Sequence, residues 1–212
     1  LFTGIVEELG EVVALEKREG ATCFTLGGKL ALEGIEIGHS IAVNGVCLTV
    51  ISFDQNSFTI EAVPETLRRT NLSDLAVGSP VNLERSSRAG APVGGHYLQG
   101  HVDGIAIVTH IEPEGEALNF YFKVTPEFMP YIVPKGFVAL DGASLTVVTT
   151  TPDTFSLTLI SHSQKMLVMG NARVGYRANL EVDVMGKYLE NIAGARIAML
   201  EARIAELERK LT

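Results

Sequence analysis

The chain has 212 residues, enough for one large domain or two small ones, and its 46% hydrophobic and 20% charged residues exclude a disordered polymer. Its 17 basic and 25 acidic side chains leave a formal charge of −8 and a pI near 5.1. Such a surface repels phosphate backbones and anionic lipid, and no local basic patch offsets it, so neither nucleic acid nor membrane is expected as a partner.

Two cysteines, Cys23 and Cys47, are too few for a disulfide framework and read as a reducing compartment. No run approaches the roughly 18 apolar residues of a membrane span. The first residues, Leu1 to Glu8, have neither the positive region nor the apolar run of a signal peptide. The expectation is a soluble cytoplasmic protein.

In chain order, the texture is β. Runs rich in Val, Ile, Thr and Phe at 40–52 and 57–63 predict strands, and Asn44-Gly45 inside the first is either a hairpin turn or a bulge. Residues 64–71 predict a short helical link that opens on Pro64 and Glu65. Its N-terminus could also offer backbone N–H groups to a ligand's carbonyls, while Arg68 and Arg69 read as a solvated face. Further strands are predicted at 118–124, 137–150 and 154–160, with a helical link at 126–132 and a second turn-or-bulge dipeptide, Asp141-Gly142. From Ala193 the pattern changes. Ile197, Leu200, Ile204, Leu207 and Leu211 step by three and four, with Glu201 and Glu208 at e positions and Arg203 and Lys210 at g. That is a heptad seam; the alternative is a helix packed on its own domain, but two apolar positions in seven are too narrow a stripe for that, so it points to self-association.

The chain is also a repeat. Shifted by 97 residues, 40–86 falls without a gap on 137–183, so that Ala42-Val43-Asn44-Gly45-Val46-Cys47-Leu48-Thr49-Val50 lies over Ala139-Leu140-Asp141-Gly142-Ala143-Ser144-Leu145-Thr146-Val147. A second block, Val77 to Glu84, lies over Val174 to Glu181 at the same offset. Duplication predicts two similar domains, 1–97 and 98–187, followed by a helix over 188–212. About six short strands in each half suit a small closed antiparallel barrel, which leaves no exposed edge.

Cys47 has Ser144 as its repeat partner, so both occupy a polar-facing slot, and alternation puts Thr49 and Thr146 on the same faces. Gly94-Gly95-His96-Tyr97-Leu98-Gln99-Gly100-His101-Val102-Asp103 joins the halves. Its glycines let backbone approach a ligand, and His101 is a candidate acid/base or hydrogen-bond donor. His101 falls on Ile5 in the first half, so chemistry that uses it is not duplicated. His96, His101 and Asp103 match no zinc spacing, and no metal is expected. The residues alone predict two related barrels, each with a small hydroxyl-lined cleft for a flat polar heterocycle.

Six ordered blocks stand out: Phe2 to Glu7; Ser40 to Val50; Glu65 to Leu72; Val81 to Arg85; Gly94-Gly95-His96 with Gly100 to Asp103; and Lys135-Gly136 running to Asp141 to Thr146. Together they resemble the riboflavin synthase family of α type. The resemblance implies an all-β fold of two six-stranded Greek-key barrels plus a C-terminal α-helix that assembles a homotrimer. It also implies a cofactor-free dismutation of two 6,7-dimethyl-8-ribityllumazine molecules into riboflavin and 5-amino-6-ribitylaminouracil. The site it implies lies between the first barrel of one subunit and the second barrel of its neighbour. By resemblance the catalytic candidates are Cys47, Ser40 and His101. Substrate contacts in the first barrel come from Gly4, Ile5 and Val6; from Cys47, Leu48 and Thr49; from Glu61, Ala62, Val63, Pro64, Glu65 and Thr66; and from Gly100, His101 and Val102. Those in the second come from Lys135; from Ser144, Leu145 and Thr146; and from Ile160, Ser161, His162, Ser163, Gln164 and Lys165.

The chain departs from the family where Ile160 to Leu167 replaces a repeated Pro-His-Thr-Leu-Glu-X-Thr pattern; Ser163 keeps a hydroxyl and Leu167 loses a threonine. That segment is similar to fungal members. Three rivals are weighed against this. A non-catalytic lumazine-carrying antenna protein has the same fold, but its subfamily lacks the Gly-His-Val-Asp type of segment. A coiled-coil-tethered structural trimer would bind no heterocycle. A cysteine hydrolase would need a third triad member that the sequence does not display.

Overall fold

The computed structural model describes residues 1–211, and of the side chains in that span those of Ala195, Ala198 and Leu211 are excepted. The side chain at the last apolar step of the heptad seam, Leu211, therefore lies outside what is described.

The first half folds into β1 (Glu8–Arg18), β2 (Ala21–Gly27), β3 (Ser40–Val43), β4 (Val46–Phe53), β5 (Ser57–Ala62) and β6 (Pro80–Arg85). The second half repeats this with β7 (Gly104–Glu114), β8 (Ala117–Lys123), β9 (Phe137–Leu140), β10 (Ala143–Thr150), β11 (Thr154–Leu159) and β12 (Arg177–Val182). Each set closes into an antiparallel barrel with the same order: β1-β2-β5-β4-β3-β6 in one and β7-β8-β11-β10-β9-β12 in the other. Register shifts fall at matching places, between Val12 and Ala14, Val50 and Ser52, Val108 and His110, and Val147 and Thr149. Bulges there add the bend that a small barrel needs to close.

Alternation sorts the side chains. In β4, Val46, Leu48 and Val50 point into the barrel, whereas Cys47 and Thr49 point out. Phe24, Phe58, Ile60 and Leu83 fill one barrel, and Phe120, Phe122, Phe155 and Leu180 the other.

The two ambiguous dipeptides are hairpin turns. Asn44 and Gly45 have φ of 45° and 75°, Asp141 and Gly142 of 46° and 79°, the left-handed pair that a two-residue turn demands. These turns meet head to head: a Cβ on Gly45 would lie 2.5 Å from the Gly142 nitrogen. Glycine is needed there for the approach as well as for the turn. The barrels are thus joined about a local two-fold relation. Asn82 Nδ2 donates to the Asp141 carbonyl and, reciprocally, Asn179 Nδ2 to the Asn44 carbonyl.

Short helices α1 (Pro64–Arg69) and α2 (Ser161–Met166) follow β5 and β11, and the link predicted at 126–132 is a 3₁₀ helix over Pro126–Tyr131. The departing Leu167 is buried in the second barrel's core, where its counterpart Thr70 instead donates to the Thr66 carbonyl. The final helix α3 (Val184–Leu211) begins earlier than residue 188, because Asp183 caps it by accepting from the Met185 N–H. Ile197, Leu200, Ile204 and Leu207 remain 45–57% exposed along it. Arg203 and Lys210 both pair with Glu206 of the same helix.

Candidate functional site

The site is built twice. On the first barrel Cys47 and Thr49 face outward from β4, beside β5, whose end runs through Glu61, Ala62 and Val63 into α1 at Pro64, Glu65 and Thr66. On the second barrel Ser144 and Thr146 face outward from β10, beside β11, which runs through Ile160 into Ser161, His162, Ser163, Gln164 and Lys165 of α2. Leu48 and Leu145 point inward and support the two walls.

The segments beside Cys47 and Ser144 are crossed: Gly100 to Val102 lie at Cys47, and Gly4 to Val6, expected to contact substrate in the first barrel, lie at Ser144. The Ser144 N–H donates to the Gly4 carbonyl at 2.9 Å, and Val6 packs on the second barrel's core. Conversely, the Cys47 N–H donates to the Gly100 carbonyl at 2.9 Å, and Val102 packs on the first barrel's core. The cause is a short antiparallel bridge: Phe2 and Leu98 exchange both backbone hydrogen bonds in the gap between barrels. Each leader strand therefore passes the other barrel before entering its own. Phe2, Leu98, Ala42 and Ala139 form a small apolar cluster at this crossing, with Cys47 packed against it.

Gly4 and Gly100 have φ of 76° and 73°, and a Cβ on them would lie 2.5 Å from Ser144 Cβ and 2.6 Å from Cys47 Cβ. Two buried carboxylates hold these glycines. Glu84 accepts from the N–H groups of Thr3 and Gly4, and Glu181 from those of Gln99 and Gly100. Burial pushes both carboxyls above the usual range.

Of the three catalytic candidates, Cys47 and His101 are brought together through Gly100. Ser40 stands opposite Thr49 on the neighbouring strand, diagonal to Cys47. It lines a cavity of about 900 Å³ with Thr3, Ile5, His39, Ser86 and Arg88, whose walls include neither Cys47 nor His101. Lys135 is exposed, with φ of 67°, just before β9. Glu65 pairs with Arg69 and Arg68, and their bonds hold its carboxyl below the usual range.

Sequence reasoning weighed His96 only as a metal ligand, and the structure gives it another place. Its Nδ1 lies 2.6 Å from Ser144 Oγ, its ring stacks on Phe137 at 5.1 Å, and its backbone N–H donates to the Thr3 carbonyl. Burial pushes its pKa down, which favours the neutral imidazole, against the smaller opposing pull of Asp183. Nε2 is buried without a partner among the described residues, which favours the proton on Nδ1 and leaves the Ser144 hydroxyl hydrogen free to donate outward. The signal was the paired Gly94-Gly95: a Cβ on Gly95 would lie 2.2 Å from the Thr3 carbonyl oxygen. Asp103 pairs with Lys187 and accepts from the Val182 N–H, so it is engaged apart from His96.

The family model for the lumazine binding domain matches residues 3–86 and again 99–183. Riboflavin synthase of Actinobacillus pleuropneumoniae is 42% identical over 190 residues, 90% of this chain and 88% of that protein. Riboflavin synthase of Schizosaccharomyces pombe is 42% identical over 200 residues, 93% of this chain and 96% of that protein. The structures of LumP complexed with riboflavin and with 6,7-dimethyl-8-(1'-D-ribityl) lumazine superpose with TM-scores of 0.80 and 0.77 at 24% identity, covering 86% of this chain and 99% of LumP. That likeness is one of fold. With both barrels matched by the lumazine-binding model and about nine-tenths of its length aligned to riboflavin synthases at over 40% identity, the chain belongs to the riboflavin synthase family.

Proposed function

We propose that this protein dismutates two molecules of 6,7-dimethyl-8-ribityllumazine into riboflavin and 5-amino-6-ribitylaminouracil. The two products contain every atom of the two substrates, so the transfer of four carbons needs no oxidant and no cofactor. The observation that carries this reading is the doubled site with unequal equipment: a thiol and an imidazole, Cys47 and His101, at one copy, and a hydroxyl fixed by a neutral imidazole, Ser144 and His96, at the other.

Loss of a proton from the 7-methyl group leaves a carbanion delocalised into the pteridine ring. Donors aimed at the ring carbonyls stabilise that charge, and the candidates for this are the N–H groups opening α1 and α2 and the Ser144 hydroxyl. His101 is the candidate to carry the methyl proton, since imidazole exchanges protons readily near neutrality. Cys47 and Ser40 are the candidates for transient addition to the second ring. Holding two rings face to face supplies much of the remaining acceleration as proximity.

The reading includes a homotrimer formed through α3, in which the first barrel of one subunit and the second barrel of its neighbour share a site. The exposed Ile197, Leu200, Ile204 and Leu207 support it. It also includes a cytoplasmic location, an expectation that rests on the sequence; separately, no helix among the described residues is long and apolar enough to cross a membrane. Purified protein incubated with the lumazine should turn it into flavin, one riboflavin for two lumazines consumed, as followed by absorbance and chromatography. Tight binding of the lumazine with no flavin formed would instead identify a carrier of the same fold.

A further inference from the structure

We propose that Glu84 and Glu181 are positioning residues that act crosswise: Glu181, rooted in the second barrel, sets His101 and Val102 at the first barrel's pocket, and Glu84, rooted in the first, sets Ile5 and Val6 at the second's. The proposal rests on the reading that the Cys47 and Ser144 pockets receive lumazine.

Each carboxylate is almost wholly buried, at 5% and 4% exposure, and among the described residues neither forms an ion pair, although the Lys187 charge acts on Glu181. Burying a carboxylate is costly, yet both copies of the repeat retain it. The geometry explains why. Glu181 Oε1 accepts from the Gln99 N–H at 2.7 Å and Oε2 from the Gly100 N–H at 3.0 Å. Glu84 likewise receives the Thr3 N–H at 2.7 Å and the Gly4 N–H at 3.1 Å. Two adjacent N–H groups need two acceptors and no donor, which an ionised carboxylate provides and an amide does not. The carbonyl of the same glycine then accepts from the opposite barrel, Gly100 from Cys47 and Gly4 from Ser144. A single peptide is pinned from one barrel through its N–H and from the other through its C=O. The next side chain, His101 or Ile5, has its direction set by that peptide. Glutamate on β12 therefore governs the site on β4, and glutamate on β6 the site on β10.

Glu181→Gln and Glu84→Gln in the full chain test this. Cys23 is buried, so alkylation reads Cys47 and reports the first pocket, while the His96 ring resonances report the second. In Glu181→Gln, the His101 resonances and the Cys47 alkylation rate should change without ligand, and the lumazine concentration that half-protects Cys47 should rise about tenfold. The His96 response should stay as in the parent. Glu84→Gln should show the opposite pattern, with the His96 response shifted about tenfold and Cys47 untouched. Should either amide unfold the chain, Asp at that position keeps the charge and withdraws it from the N–H pair, and the same pattern is expected. Each glutamate affecting its own barrel's probe, or both variants affecting both probes equally, overturns the proposal. A parent in which lumazine never protects Cys47 refutes the functional reading alone, because the ligand-free His101 and Cys47 signals still decide the positioning.

Discussion

Asn44 and Asp141 are repeat partners with nearly the same backbone, and what separates them is one atom of side chain. Asp141 is fully buried and accepts from Asn71 Nδ2, the Asn179 N–H and the Tyr176 hydroxyl. Burial nevertheless pushes its carboxyl up to about 6. A group whose folded pKa exceeds its unfolded value of about 3.9 binds protons more tightly when folded. Its stabilisation is complete below about pH 4 and fades as pH climbs through about 6, a loss of about 3 kcal/mol at most. Asp141→Asn removes that dependence. Urea unfolding of parent and variant from pH 4.5 to 7 should show the stability difference moving in the variant's favour as pH rises; a constant difference would mean that Asp141 is ionised throughout.

The imidazoles divide the same way. His101→Ala should lower turnover about a hundredfold while His96 still responds to lumazine, and undiminished turnover would remove His101 from the reaction. His96→Leu keeps the packing on Phe137 and removes the bond to Ser144, so lumazine affinity at the second pocket should fall about tenfold with Cys47 protection unchanged. At this scale the sequence was legible where strand alternation decides exposure, as for Cys47 and Thr49. His96 was not, because its partner lies 48 residues further along the chain and is reached only where two leader segments cross.

Several strands and the heptad seam could be read because their determinants are local, whereas Asn44-Gly45 and Asp141-Gly142 fitted a hairpin turn or a bulge alike. A three-four spacing of Ile and Leu specifies a helix seam. The crossing of residues 2–6 with 98–102 has no such local code. It arises from one backbone bridge, Phe2 to Leu98, and from glycines that admit a neighbouring strand. The start of α3 at Val184 was missed although Met185, Tyr188 and Ile192 step by three and four and Asp183 is a recognisable cap, because Gly186 and Gly194 weaken the helical signal there. Exposed leucines and isoleucines on α3 carry their own consequence. Deleting residues 193–212 should yield monomers in sedimentation with turnover reduced at least about tenfold, while lumazine still protects Cys47. Full turnover from a proven monomer would show that one chain suffices.

Duplication followed by divergence leaves a molecule whose halves share a frame and differ in chemistry. The two barrels meet turn to turn at Gly45 and Gly142, on the local two-fold. On the proposed reading, two bound lumazines react between the pockets of different chains. Mixing variants tests this directly. His101→Ala chains lack the first pocket's imidazole and retain a sound second pocket; Ser144→Ala chains lack the second pocket's hydroxyl and retain a sound first. Each assembly alone should be impaired. If oligomers are dissociated, mixed in equal amounts and reassembled, a site pairing the first barrel of a Ser144→Ala chain with the second barrel of a His101→Ala chain is intact. By random cyclic assembly about a quarter of sites should be of this kind, and turnover should recover to about that fraction of the parent's. If mass spectrometry verifies mixed oligomers and turnover does not recover, the two lumazines must react within one chain, and the assembly through α3 would serve stability alone.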